Sequence, residues 1–378
     1  MKNIRKFLCL ALALIMVLSL AACGSKSDDA QDNTNDAQET AGQPIEGGTF
    51  VYAIEEPITS LNWYNNNFTD LGKQVLSNMY DPMWKNNADG SLDYRLAKNV
   101  DISEDGTTYT LTLRDDIYWS DGEKITTDDI VFTLDTLAEP EVAPSTATGY
   151  KVDGEFCTYE KVSDTEIVFT IGRASNLFKK ALGALYVLPA HCFEGVPATE
   201  VLTCEQNDTI ATSGAFVVDS FSVGEKLVCV KNDKYYRTPA HIDGFEVRCV
   251  SDAGTQEIAF QNGELSIFTI SNAETLANYK DNENYQVVSY PDGRITFLEI
   301  NPNSEAMSTM EAREAVISAL NLDELVYGTY GDETLCRTAT SILSTVSMFY
   351  NPEITNYQQD LDKANELIEA TGLKDKTI

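Results

Sequence analysis

The first pattern along the chain is an unbroken one. From Phe7 to Leu20 every residue but Ser19 is apolar, with Lys2, Arg5 and Lys6 before the run and Ala21, Ala22 and Cys23 after it. A charged segment, an apolar segment and a small-residue cleavage site make an export signal over residues 1–22. The run is 14 residues long, whereas a helix needs roughly 20 to cross the hydrocarbon layer, so a cleaved signal is expected rather than a membrane span. Gly24 to Pro44 is then Ser, Asp, Asn, Gln, Thr and Ala with few apolar side chains. Such a stretch cannot bury enough surface to offset its ordering entropy and predicts a flexible tether over 23–45.

Beyond the tether the apolar positions take on a period. Gly47–Ile54 alternates and predicts a first strand, after which Glu55-Glu56-Pro57 turns the chain into a polar, aromatic segment, Leu61 to Asn67. Tyr109, Leu111 and Leu113 alternate with Thr108, Thr110 and Thr112, the two-residue period of a half-buried strand. Asp121-Gly122 supplies the following turn. Thr126 and Asp129 form a capping box for a helix with Ile130, Leu134 and Leu137 on one face. Further strands are expected at Thr165–Ile171, Gly214–Asp219 with Leu227–Lys231, Phe245–Val250 and Ile295–Ile300. Then the character changes. Ser308 with Glu311 is expected to cap a helix carrying Ala312, Ala315, Val316, Ala319 and Leu320, and Asp360 to open a last helix with Ala364, Leu367 and Ile368 that stops at Gly372.

Composition narrows the function classes. The formal net charge is -32, and losing the three positive charges of the signal takes it to -35. With 59 carboxylates against 27 Lys and Arg, nucleic acid is excluded as a partner, because each phosphate contact wants a cation; the acidity reads as a solvated surface. After the signal and Cys23, six cysteines remain: Cys157, Cys192, Cys204, Cys229, Cys249 and Cys336. Six allow 15 connectivities. Cys192 with Cys204 and Cys229 with Cys249 are the best local pairs, and free thiols are the alternative. None has the paired close spacing of a zinc site.

The sequence argues against an enzyme and calls for no cofactor or metal. His191 and His241 are the only histidines, 50 residues apart, with no carboxylate at helical ligand spacing. A phosphate-binding loop with Lys-Ser or Lys-Thr, Gly-x-Ser-x-Gly and His-Glu-x-x-His are all missing from the sequence. Asp115-Asp116 and Asp128-Asp129 read as a strand exit and a helix N-terminus rather than a catalytic carboxylate pair. The residues singled out for ligand contact are Trp63, Tyr64 and Asn65, in the loop leaving the first strand, with aromatic packing under the loop as the competing reading. Arg294 and Asn301, around Asp292-Gly293-Arg294, are the candidates further along for a hinge or ligand wall.

Two resemblances give these pieces a frame. Leu20-Ala21-Ala22-Cys23 resembles the lipobox of bacterial lipoproteins, which implies cleavage after Ala22, a diacylglycerol on Cys23 and a protein held by that lipid on the extracytoplasmic face of the cell membrane. The segment from Tyr109 through Leu113-Arg114, Trp119, Asp121-Gly122 and Asp128-Asp129 to Phe132 is similar to the signature of the family 5 solute-binding proteins of ABC importers. So are Leu188-Pro189-Ala190-His191, Thr212 to Phe216 with Lys231 to Tyr236, and Phe297 to Asn301 with Ala312-Arg313-Glu314-Ala315. Ala215 and Asp233 stand where that family usually has Pro.

The resemblance implies an α/β, two-lobed periplasmic-binding-protein-like fold (type II, cluster C-like) with an inserted domain. Residues 46–86 and 205–295 would form a discontinuous lobe I, 87–204 the insertion and 296–378 part of lobe II, a C-terminally truncated form of a longer family pattern. It further implies a monomeric receptor for a di- or oligopeptide that works with ABC permease subunits and a separate ATPase. Peptide receptors of the family hold the ligand backbone by strand-like hydrogen bonds and its amino end by an Asp of the second lobe, for which no residue here can be named. A surface hydrolase and a peptide-sensing or chaperone-like receptor are the alternatives.

Overall fold

The computed structural model describes residues 44–65, 70–87, 90–142, 145–347 and 349–376. The export signal, Cys23, the tether up to residue 43 and the Asn66-Asn67 end of the aromatic loop lie outside them. Among the described residues no helix is long and apolar enough to cross a membrane.

Strand β1 (Thr49–Ile54) follows the predicted alternation, but its hydrogen-bonding partner is nearly 200 residues away in sequence. The intervening strands are β2 (Trp84–Asn86), β3 (Leu92–Tyr94), β4 (Ala97–Ile102), β5 (Thr108–Leu113), β6 (Lys151–Val152), β7 (Glu155–Phe156), β8 (Thr158–Ser163) and β9 (Glu166–Thr170). β10 (Phe216–Ser222), β11 (Lys226–Lys231) and β12 (Gly244–Cys249) complete the set. One four-stranded sheet runs β1-β12-β11-β10, with β1 parallel to β12 and the other pairs antiparallel. Only a glycine fits at Gly244, because a Cβ there would lie 2.2 Å from the Cys229 carbonyl oxygen on β11. The second four-stranded sheet, β4-β5-β9-β8, is wholly antiparallel and drawn from the segment between β1 and β10.

In β5, Tyr109, Leu111 and Leu113 are buried while the threonines between them are half-buried. The apolar face of the helix Thr127–Ala138 is equally enclosed: Ile130 and Leu134 are 0% exposed. Its capping box forms as the sequence implies, with the Thr126 backbone N–H donating to Asp129 Oδ2 at 2.9 Å and the Asp128 N–H to Thr126 Oγ1 at 3.2 Å. One hydrophobic core runs from Ile54 to Val247 through both sheets. Backbone bonds stitch the segments together, among them Gly214 N–H to the Met79 carbonyl and Ser120 N–H to the Thr212 carbonyl.

After β12 the chain changes character, and no strand occurs among the described residues. The expected strand at Ile295–Ile300 is corrected: the segment has no ladder partner, with Phe297 70% and Leu298 64% exposed. Alternation supplies a face, but a strand also needs a neighbouring backbone to accept and donate its hydrogen bonds. The helix over Met310–Ala319 begins one residue later than the capping pattern indicates. Thr309, not Ser308, is its cap, accepting from Ala312 N–H, while the Ser308 hydroxyl donates to the Glu305 carbonyl. The helix Leu361–Thr371 opens at Asp360 and stops at Gly372, whose φ of 68° only glycine takes without strain. These two helices share a small cluster of Met307, Ala312, Ala315 and Leu373, flanked by Val316, Leu367 and Ile368.

The six described cysteines are free thiols. Pairing of Cys229 with Cys249 is ruled out by register: Cys229 lies opposite Phe245, and Cys249 opposite Ile54 on the other side of β12. Cys192 and Cys204, the other pair considered, are both half-buried and unjoined. Burial pushes the Cys157 and Cys229 thiols up to about 12, so both stay protonated.

Candidate functional site

The loop after β1 is fastened by a side chain that sequence reasoning passed over. Asn62 is 0% exposed; its amide donates to Asn207 Oδ1 at 2.8 Å, and its own carbonyl oxygen accepts from Tyr64 N–H at 2.9 Å. Asn207 in turn donates to the Val201 and Cys204 carbonyls. The loop is thus bolted to residues 201–207 by a buried amide pair whose groups find partners in each other and in the backbone. Nothing in the local sequence distinguishes Asn62 from the asparagines around it, since its partner lies 145 positions away.

This fastening decides what the three predicted loop residues present. Tyr64 is 4% exposed, and its hydroxyl accepts from Tyr186 N–H at 3.2 Å; burial raises its pKa and keeps it a neutral phenol. Asn65 donates to the Leu202 carbonyl at 3.0 Å. Trp63 remains half-buried and stacked on Tyr186, ring centroids 3.5 Å apart at 22°, with Tyr80 edge-on at 6.5 Å. Of the three, Trp63 offers a flat aromatic surface, while Tyr64 and Asn65 hold the loop that carries it.

Behind Tyr186 stands a charged cluster. Asp81, 4% exposed, accepts from the hydroxyls of Tyr235 at 2.7 Å and Tyr236 at 2.8 Å and faces Arg95 Nη1 at 3.8 Å. Arg95 also meets Asp93 at 2.6 Å, and Asp93 is shared with Arg237 at 3.1 Å. Burial acts to raise the Asp93 carboxyl, but the Arg237 hydrogen bond and the Arg95 charge outweigh it and hold the group below its usual range. The Tyr186 hydroxyl is pushed up to about 12, first by burial and then by Asp81, with Arg95 opposing. The Tyr235-Tyr236 pair therefore serves as two phenol donors that hydrogen-bond a buried carboxylate, while Arg95 supplies the opposite charge. Arg95 Nε, also buried, has no hydrogen-bond partner among the described residues.

Arg294 and Asn301 stand apart from this network, in the segment after β12. Arg294 is exposed, 3.6 Å from Asp292, and Asn301 is an exposed turn residue accepting from Asn303 N–H at 2.9 Å. A depression of about 490 Å³ at Ala277–Asn284 is lined by that one segment alone; no groups from separate elements converge there, so it has no makings of a site.

Of the two carboxylate pairs that a hydrolase would use, Asp116, Asp128 and Asp129 are engaged structurally, and Asp115 is exposed. Asp116 is held bidentate by Arg114 at 2.8 and 2.6 Å, Asp128 by Lys161 at 2.7 Å, and Asp129 closes the capping box on Thr126 N–H, its other oxygen accepting from Ala190 N–H at 3.0 Å.

Comparison with known proteins follows the same outline. The chain is 24% identical to the oligopeptide-binding protein AppA of Bacillus subtilis (strain 168), over 98% of this chain and 67% of that protein. It is 23% identical to the dipeptide-binding protein DppE of the same organism, over 86% of this chain and 61% of that protein. Among solved structures, the ABC transporter substrate binding protein CtaP of Listeria monocytogenes matches with a TM-score of 0.75 and 26% identity, covering 86% of this chain and 66% of that one. The chain thus spans about two thirds of the length of these relatives, and its α/β architecture is that of the two-lobed periplasmic-binding proteins. Residues 92–378, most of the chain, match the profile of the bacterial extracellular solute-binding proteins, family 5 (middle region), and the chain belongs to that family.

Proposed function

We propose that the protein is the extracytoplasmic receptor of an ABC importer, capturing a short peptide between two lobes and delivering it to a permease driven by a separate ATPase. The observation that carries this is membership of the solute-binding family together with relatives named for oligopeptide and dipeptide binding. The Trp63 face, rigid on Tyr186 and backed by the Asp81–Arg95 cluster, is the first-lobe wall; Tyr64 and Asn65 position it. Arg294 and Asn301, exposed beyond β12, supply contacts from the other side. The backbone at Ile295–Ile300 carries no strand pairing among the described residues, which leaves it free to pair with the backbone of a peptide added as a strand.

Contacts from both sides exist together only in the closed form, so ligand draws the population towards it. The lipid on Cys23 and the tether keep a monomeric receptor close to its permease without further membrane contact. No step of this needs a cofactor, and no bond of the ligand is broken.

Mass spectrometry of what co-purifies with the full-length protein, followed by calorimetric titration of those compounds, tests the reading. Short peptides that bind without turnover are expected. A sugar or a metal chelate as the sole bound solute overturns the peptide assignment, and hydrolysis of the bound compound overturns the receptor itself.

A further inference from the structure

Outside the candidate peptide site, three different metal-ligating side chains converge. Asp121, in the turn after β5, meets His191 from a single turn of 3₁₀-helix, Ala190–Phe193, with His191 Nε2 2.7 Å from Asp121 Oδ2. Cys192 Sγ lies 3.5 Å from the same nitrogen, and the three donor atoms all fall within 4.8 Å of one another. Two donors bound at zinc distances to one tetrahedral ion sit about 3.3–3.7 Å apart. The sulfur–nitrogen pair already has that separation, and the carboxylate needs to retreat from the imidazole by about 0.7 Å. We propose that Asp121, His191 and Cys192 form a site for a borderline-soft divalent cation of the zinc type, with a fourth position left to water.

The surroundings favour a cation. Asp121 Oδ1 is fixed by Glu123 N–H at 3.1 Å, and Asp129 anchors the 3₁₀ turn through Ala190 N–H at 3.0 Å. The buried Asp129 carboxylate acts electrostatically on both His191 and Cys192. The opposing charge is Lys234, whose Nζ approaches Gly122. Asp121, Asp129 and a Cys192 thiolate against Lys234 leave the pocket negative. On binding, the sulfur–metal bond replaces the S–H bond and that proton leaves to water. The imidazole proton moves to Nδ1 so that the Nε2 lone pair can bind the ion. His191 and Cys192 are adjacent in sequence but 70 positions from Asp121, so the ion would pin the 3₁₀ turn to the Asp121-Gly122 turn, whichever solute the receptor carries.

The test is titration of the reduced full-length protein with Zn²⁺ by calorimetry and with Co²⁺ by absorption, without peptide. One ion per chain is expected, with a thiolate-to-cobalt charge-transfer band. Asp121→Asn, His191→Gln and Cys192→Ser should each weaken binding at least tenfold, and Cys192→Ser should abolish the band. His241→Gln and Cys204→Ser should change neither. No stoichiometric binding, or binding that the three substitutions leave intact, overturns the site. If a variant fails to fold, alkylation of the wild-type protein decides: Zn²⁺ should slow modification of Cys192 and not of Cys204, and equal rates overturn the proposal.

Discussion

The residues up to β12 and those beyond it carry equally clear hydrophobic periodicity, yet they bury it very differently. In the first region Leu61, Leu76, Leu111, Ile130, Leu134, Ile167 and Phe169 are all 0% exposed and belong to one continuous core. In the second, the helices over Met310–Ala319 and Leu361–Thr371 close on a cluster of four buried side chains, two of them alanines. Tyr290, Phe297, Met310, Tyr327 and Phe349 there are 68–74% exposed. The difference teaches that an amphipathic element specifies a face and nothing more. The stability that face contributes depends on a second face to cover it, which two interlocked sheets supply and a pair of helices supplies only in part.

The largest test of this contrast is truncation of side chains. Leu134→Ala, in the continuous core, is expected to cost about 2–5 kcal/mol in denaturant unfolding, whereas Ile368→Ala, half-buried at the small cluster, is expected to cost about 1 kcal/mol. Equal losses would break the comparison. Because the two regions do not share a core, unfolding is to be followed by separate probes in each, and two transitions are expected rather than one.

Backbone crowding gives the next effect. A Cβ at Gly214 would fall 2.5 Å from the Met79 carbonyl carbon, so Gly214→Ala should destabilise by about 1–3 kcal/mol. Gly372→Ala meets open space and strains only the left-handed C-cap, for about 1 kcal/mol. Thermal melts of the two variants distinguish them.

Hydrogen exchange reads the same contrast without mutation. Amides of β12, bonded on both sides by β1 and β11, should exchange only through large-scale opening, and those of Ile295–Ile300 within the shortest labelling time. Protection in Ile295–Ile300 that appears on adding peptide would sharpen the proposed strand-like mode of capture.

The smallest effect is electrostatic. The Arg114 hydrogen bond, against burial, holds the Asp116 carboxyl below its usual value. A depressed folded pKa means that this pair contributes above the ordinary carboxylate value of about 3.9 and is lost as pH falls through the lower folded one. Arg114→Met should move the Asp116 titration upward in an NMR pH series. In the second region Asp332 is lowered by the Thr334 hydroxyl and then its N–H, and Thr334→Val should move it upward by less.

The sequence by itself determined the local devices. The capping box at Thr126–Asp129, the Tyr109–Leu113 alternation, the Asp360 start and the Gly372 stop all follow from contacts within a few residues, where side-chain type and spacing suffice. The family was legible for the same reason, since its motifs are short and contiguous. Other elements went unread, among them the strand Thr158–Ser163 and the helices Asn176–Gly183 and Leu322–Tyr330, although Ser175 and Asn321 cap those helices and Gly331 stops the second by the same local devices.

Tertiary structure decided what depends on distant partners. It turned Tyr64 and Asn65 into supports and left Trp63 as the open aromatic face, through an Asn62–Asn207 bond no local pattern announces. It gave Tyr235 and Tyr236 a buried carboxylate to hydrogen-bond and withheld a ladder from Ile295–Ile300. It also gathered Asp121, His191 and Cys192 at one point, where spacing along the chain had argued against a metal. A cap or an alternation is satisfied by its neighbours, whereas a hydrogen-bond partner, a covering face or a ligand set must be delivered by the fold.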